Sequence, residues 1–250
     1  MLKRTKFTIK LANRVVGVRA MYDSTREFCA EYVCEEESHF SVSTTPADIA
    51  FEREKSARED AVEGHGPREY TDAYLETIAV QRKIAEKLFD CDTLLFHGSV
   101  IAVDGEAFLF TAKSGTGKST HTRLWRELLG EKAVMVNDDK PFLEITEREV
   151  IVHGSPWNGK HRLGANISVP LKAVCILERG EENKIHRISA QEALAMLLQQ
   201  SNRPMDRRKM PKYLELLDEL SRKTAFYRLE CNMDPQAAKI AYETMSANKE

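Results

Sequence analysis

Apolar and polar residues alternate in KFTIK (6–10) and RVVGVRAM (14–21), and residues 31–43 hold two more β-rich pieces. Period-two alternation predicts strands, so the first 45 or so residues read as a small β-rich layer. From 51 to 66 the chain is charged and glycine-punctuated with little to bury, and it reads as a surface connection. That places a boundary between an N-terminal region, 1–66, and a second region, 67–250. Tyr74, Ile78, Ala85 and Leu88 then recur at helical spacing within 70–89. Strands are expected over 94–103 and 106–111, joined by Asp104-Gly105, a dipeptide suited to a two-residue hairpin turn.

Downstream, 119–129 carries Leu124, Leu128 and Leu129 on one side and meets Gly130, a helix stop. A short buried strand, 133–136, ends in Asn137, Asp138 and Asp139. Residues 143–145 and 150–152 suggest a hairpin, and 171–177 a core strand. The last 70 or so residues read as mainly helical. Ser189 and Glu192 form a capping box, and Pro211 and Asp234-Pro235 mark two more helix starts. No internal repeat or low-complexity tract is visible. The pattern predicts an α/β protein: a mixed central β-sheet preceded by the β-rich N-terminal region.

Composition narrows the function classes. The 250 residues are 42% hydrophobic and 30% charged with a formal net charge of −2, which calls for neither a nucleic-acid nor a membrane surface. No run of about 18 apolar residues occurs and MLKRTKFTIK lacks the apolar core of a secretory signal, so a cytoplasmic location is expected. Five cysteines form no C-x-x-C pair, and their odd count argues for reduced thiols. Cys29, Cys34 and His39 lack the second ligand pair of a zinc site.

The chemistry concentrates in FLFTAKSGTGKSTHT, residues 108–122. An apolar strand feeding a glycine-bearing loop, then Lys-Ser and a helix, is the layout of a phosphate-binding loop. Ser114, Gly115, Thr116, Gly117, Lys118, Ser119 and Thr120 would surround the phosphates of ATP, with Lys118 on the β/γ-phosphates and the Ser119 hydroxyl on Mg²⁺. The pattern G-x-x-x-x-G-K-[ST] is met except at its first glycine, here Ala112, which costs the loop its easiest route to positive φ. Asp138 and Asp139 follow Lys118 by one helix and one strand, which returns them to the sheet edge beside the loop. One acid there can hold Mg²⁺ and its neighbour can accept a proton from an attacking hydroxyl. The competing reading of NDDKP is a polar turn. His97 ends the strand that pairs with the one feeding the loop, while His121 either lines the nucleotide site or faces solvent. Between two strands, 153–170 is rich in Gly, Pro and Asn. Its Lys160 and Arg162, with His161, suit a clamp on a transferring phosphoryl group, and Trp157 suits packing against a ring. Arg203, Arg207, Arg208 and Lys209 form a local basic patch.

HGSVIAVDGEAFLFTAKSGTGKST and the later VNDD resemble the HPr kinase and phosphoenolpyruvate carboxykinase superfamily over about 94–180. The resemblance implies an HPr kinase-like core in which Lys118 and Ser119 hold phosphate and Mg²⁺, Asp138 is the base, and Asp139 and His97 assist, Asp139 also as a metal ligand. It makes a homo-oligomer plausible. The glycine-rich signature loop of bacterial HPr kinases is not recognisable here, and carboxykinases are about twice this length with further metal ligands. The expectation is therefore a kinase that passes the γ-phosphoryl group of ATP to a hydroxyl acceptor, a protein or peptide serine or a small molecule. The alternatives are a nucleotide-binding regulatory or scaffold protein without phosphotransfer, which Ala112 favours, and a simple NTPase.

Overall fold

The computed structural model describes residues 4–62, 64, 66 and 68–247. Contacts divide the chain into two compact units, Met1–Asp90 and Cys91–Glu250.

In the first unit β1 (Thr5–Leu11) and β2 (Arg14–Ala20) form a hairpin whose turn residues, Ala12 and Asn13, both have positive φ. After α1 (Asp23–Phe28) come β3 (Val33–Cys34), β4 (Phe40–Ser43), α2 (Pro46–Val62) and α3 (Asp72–Leu88). The sheet runs β3-β1-β2-β4, with β4 parallel to β2. Buried Glu76 on α3 accepts from the backbone N–H of Met21 and Tyr22 and from the hydroxyls of Thr25 and Thr44, tying that helix to the strands. The contacts of α3 thus run N-terminally, and the unit ends at Asp90 rather than at residue 66.

The segment expected to be a surface connection is helix α2 as far as Val62; its residues 63 and 65 lie outside those described. Hydropathy misses α2 because two of its buried positions are acids. Glu52 and Asp48 meet Arg82 of α3, and Asp60 accepts from the Tyr70 hydroxyl at 3.0 Å.

The second unit opens with β5 (Thr93–Leu95), β6 (Ser99–Val103), β7 (Glu106–Thr111), α4 (Lys118–Leu129) and β8 (Ala133–Asn137). It continues through β9 (Phe142–Ile145), β10 (Val150–His153), β11 (Ser168–Arg179), β12 (Lys184–Ile188), α5 (Ala190–Gln200), α6 (Met210–Lys223), β13 (Ala225–Cys231) and α7 (Gln236–Ser246). A mixed sheet follows the order β5-β9-β10-β11-β7-β6-β8, with β13 parallel to β11 and β12 beside β13. The mixed α/β class is as expected.

Two elements depart from the sequence pattern. The strand expected over 94–103 is broken: β5 pairs with β9, β6 with β7 and β8, and residues 96–98 form the step between them. The C-terminal stretch is mainly helical as expected, but it also contributes two strands the pattern did not show: β12, and AFYRLEC as β13, lying against β11 from Ala173↔Ala225 to Arg179↔Cys231. The Asp104-Gly105 turn has φ of 50° and 82°, the paired positive values such a hairpin requires.

Helices α4 and α7 cover one face of the sheet around Trp125, which is fully buried and packs its ring 5.1–5.2 Å from Phe108 and Phe110 and 5.5 Å from Tyr242. Such aromatic pairs contribute about 0.5–1.5 kcal/mol each beyond area burial, and here they fix the helix that starts at Lys118 against the strand that ends at Thr111. Among the described residues no helix is long and apolar enough to cross a membrane.

Candidate functional site

Strand β7 delivers the chain into an exposed loop, and α4 begins six residues after the strand ends. Gly115 has φ +73° with no atom near a would-be Cβ, and Gly117 has φ +118° and caps α4. Both values favour glycine. The cap residue has no side chain and so makes no side-chain cap hydrogen bond to α4, whose positive end opens at the glycine loop. Ala112, in contrast, is not among the positive-φ residues; it is fully buried and belongs to the Phe110–Trp125 core. Its methyl fills space at no backbone cost, which corrects the penalty expected from the motif. Arg179, at the end of β11, donates to the Gly115 carbonyl at 2.7 Å and anchors the loop from outside.

The acidic turn is built very differently. Asn137 is fully buried; its Oδ1 accepts from the amides of Asp139 (2.8 Å) and Lys140 (2.6 Å), and its Nδ2 donates to Ser155. Ser155 Oγ in turn donates to the Lys140 carbonyl, and the Lys140 amide donates to the Trp157 carbonyl. Asp138 is 7% exposed and its Oδ1 accepts from Ser99 Oγ at 2.5 Å; Ser99 Oγ lies 3.0 Å from Thr122 Oγ1 on α4. The carboxylate is therefore tied to both the sheet and the second turn of α4.

His97 sits in the step between β5 and β6, its amide on the Gln200 carbonyl and its own carbonyl accepting from the Thr111 hydroxyl. Its Nε2 lies 3.3 Å from Asp139 Oδ1. Burial, with the charges of Lys140 and Lys118 beside it, pushes the imidazole down to about 3, so at neutral pH it is uncharged. Burial raises the Asp139 carboxyl, opposed by Lys140 and Lys118 and assisted by Asp138. Lys118 thus bears on both members of the pair, and its Nζ is 3.5 Å from the Ala112 carbonyl. Shifted titratable groups gathered at a loop mark a candidate site.

Two clefts open beside the glycine loop. One, about 510 Å³, is lined by Gly115, Gly117, His121, Leu124, Leu177 and Met233. The other, about 470 Å³, is bordered by Ser119, Thr120, Arg126, Asp138 and His161. His121 does not face solvent: it is 2% exposed, edge-on to Phe110 at 4.7 Å, and Trp125 Nε1 donates to its Nε2. Burial lowers it to about 4.

The 153–170 segment is part support and part rim. Ser155, Trp157 and Asn158 are buried, so Trp157 is not offered at the surface, while Gly159 packs against Asp138 with a would-be Cβ 3.7 Å from its Oδ2. Lys160, His161 and Arg162 are exposed at the tip, with Arg162 at φ 49°. In the basic patch Arg208 pairs with Asp206 and Arg203 donates to the Leu198 carbonyl.

Of the residues expected from sequence, His97, Lys118 and Asp139 are brought together, and Asp138 meets Ser119 and Thr120 in one cleft. Ser114 lies exposed in the loop, and Thr116 donates its amide to the Lys113 carbonyl. Ser99, Thr122, Asn137, Arg126 and Arg179 were missed. Asn137 alone had a local signal, as an Asx-turn residue opening NDDK.

Residues 69–235, well over half of the chain, match the SynChlorMet cassette protein ScmC family, and the chain belongs to that family. No curated protein matches the chain. Among solved structures it is similar to the HPr(Ser) kinase/phosphatase from Coxiella burnetii, at 9% identity and a TM-score of 0.36, over 61% of this chain and 99% of that one. A likeness at that score is distant.

Proposed function

We propose that this chain is an ATP- and Mg²⁺-dependent kinase that transfers the γ-phosphoryl group to a hydroxyl acceptor. The observation that carries the reading is Asp138: a buried carboxylate, held by a serine hydroxyl, beside a helix start whose amides lack a capping side chain. The backbone from Ser114 to Thr120 would cradle the phosphates, Lys118 would neutralise charge developing there, and Ser119 with Asp139 would hold the metal. Magnesium nucleotide supplies the phosphoryl group and an electrophilic phosphorus. Asp138 takes the proton from the incoming hydroxyl, while neutral His97 steadies Asp139. Lys160 and Arg162, exposed at the tip of the 153–170 segment, would close on the γ-phosphate.

The scaffold alternative drew its support from Ala112. That residue packs in the core with an ordinary backbone, so the loop has no defect for the scaffold reading to explain.

Calorimetry with magnesium ATP, followed by label transfer from γ-labelled ATP to pooled serine peptides and small alcohols, tests the proposal. Lys118→Ala should lose nucleotide binding. Asp138→Asn should keep it while transfer falls by roughly 10²–10⁴. Nucleotide binding with no transfer to any acceptor would favour the scaffold, and phosphate release alone the NTPase.

A further inference from the structure

We propose that the acceptor is a small hydroxy acid or comparable anionic alcohol, seated in the 470 Å³ cleft between α4 and the tip of the 153–170 segment with Arg126 as its counter-ion. The assignment rests on the kinase reading above and adds the substrate class and the residue that selects it.

The helical repeat sets Ser119, Thr122 with Arg123, and Arg126 on successive turns of one face of α4. Thr122 shares the Ser99 hydroxyl with Asp138, so this face looks onto the carboxylate. Going up the face, the wall changes from hydroxyl to guanidinium. Arg123 is already matched, by Glu127 at 2.6 Å. Arg126 is not: its Nε is buried with no hydrogen-bond partner, and among the described residues no carboxylate lies within ion-pair distance.

The Arg126 side chain lines the cleft without a carboxylate partner among the described residues, and a guanidinium's planar fork matches a carboxylate or phosphate in two parallel bonds. His161 stands on the opposite rim, and Met135 and Leu163 supply an apolar floor for a carbon skeleton. The volume lies in the range of small-molecule sites, about 300–1,000 Å³. An acceptor anchored at Arg126 by its anionic end extends along α4 toward Ser119 and places a hydroxyl by Asp138.

The step balances without a further reactant. The acceptor oxygen bonds to the γ-phosphorus as the bond from that phosphorus to the β,γ-bridging oxygen breaks. The electron pair leaves with ADP, and the hydroxyl proton passes to Asp138.

The test uses the full chain with γ-labelled magnesium ATP, a series of hydroxy acids from glycolate to gluconate, and the neutral counterparts from ethylene glycol to sorbitol. Label should enter a hydroxy acid and not its neutral counterpart. Arg126→Gln should raise KM for that acid about tenfold or more, with kcat changed less and nucleotide affinity within about twofold. Arg126→Lys, which keeps the stem packed and the charge, should recover part of the loss and secures a folded comparison. Equal labelling of neutral alcohols overturns the assignment. So does an unlabelled acid series with protein that binds nucleotide, a result that leaves the nucleotide site standing. Weaker nucleotide binding in Arg126→Gln, matching the loss of acceptor use, makes Arg126 a phosphate clamp and also overturns it. Protein that binds no nucleotide sinks the kinase reading itself.

Discussion

The glycine loop and the acidic turn frame one site but are held in opposite ways. In the loop, Lys113, Ser114 and Gly115 are exposed, and the main tethers are the Thr116 amide on the Lys113 carbonyl and Arg179 on Gly115. In the turn, the Asn137 side chain alone makes four hydrogen bonds, and Gly98 and Trp157 close it from two further segments. The contrast teaches a division of labour. The acids are fixed by hydrogen bonds from several distant segments, whereas the glycine loop is exposed and has few tethers of its own.

Breaking the rigid half should have the largest effect. Asn137→Ala removes four bonds from a fully buried amide and should cost roughly 3 kcal/mol, read as a shift in urea midpoint; a midpoint within experimental error of wild type would mean the turn is held by something else. Gly115→Ala meets no steric neighbour but forces a side chain to φ +73°, a strain of about 1–2 kcal/mol. Its main effect should be on nucleotide affinity, about tenfold weaker by calorimetry, and an affinity loss no larger in Gly115→Ala than in Asn137→Ala would erase the contrast.

A sharper probe is Ala112→Gly, which restores the usual motif. It should lose about 1 kcal/mol through the vacated methyl and added backbone freedom and leave nucleotide affinity unchanged. Tighter binding in this variant would show that the missing glycine does matter. Smallest is Arg179→Ala, on an exposed side chain: stability within about 0.5 kcal/mol and nucleotide affinity a few-fold weaker, since only the loop's outer tether is lost. No change in affinity would leave that tether without a role in binding.

How much was legible follows the range of the interactions. The hairpin at Asp104-Gly105, the Ser189–Glu192 box and the start of α4 at Lys118 were readable because a turn or cap is settled by residues within a few positions. Helix α2 was not, because Glu52 and Asp60 occupy buried positions and meet Arg82 of α3 and the Tyr70 hydroxyl rather than forming an apolar stripe. Strand β13 was masked by the helices around it, although AFYRLEC alternates as a strand should. At the site, the glycine loop and the Asp pair were visible as motifs, whereas the residues that aim them were not.

The amino-acid order by itself settled the local chemistry: a strand, a glycine-and-lysine loop and a helix in that succession, and two acids at the end of the next strand. Only the tertiary structure decided what those acids meet. Ser99 reaches Asp138 across 39 residues, Thr122 reaches Ser99 across 23, and Arg179 reaches Gly115 across 64. It also decided that Ala112 is core rather than loop and that Arg126 borders the Asp138 cleft with no carboxylate partner among the described residues. Caps and turns are short-range and leave a mark in neighbouring letters. Burial and the pairing of distant strands are long-range, and they exist only once the sheet has closed.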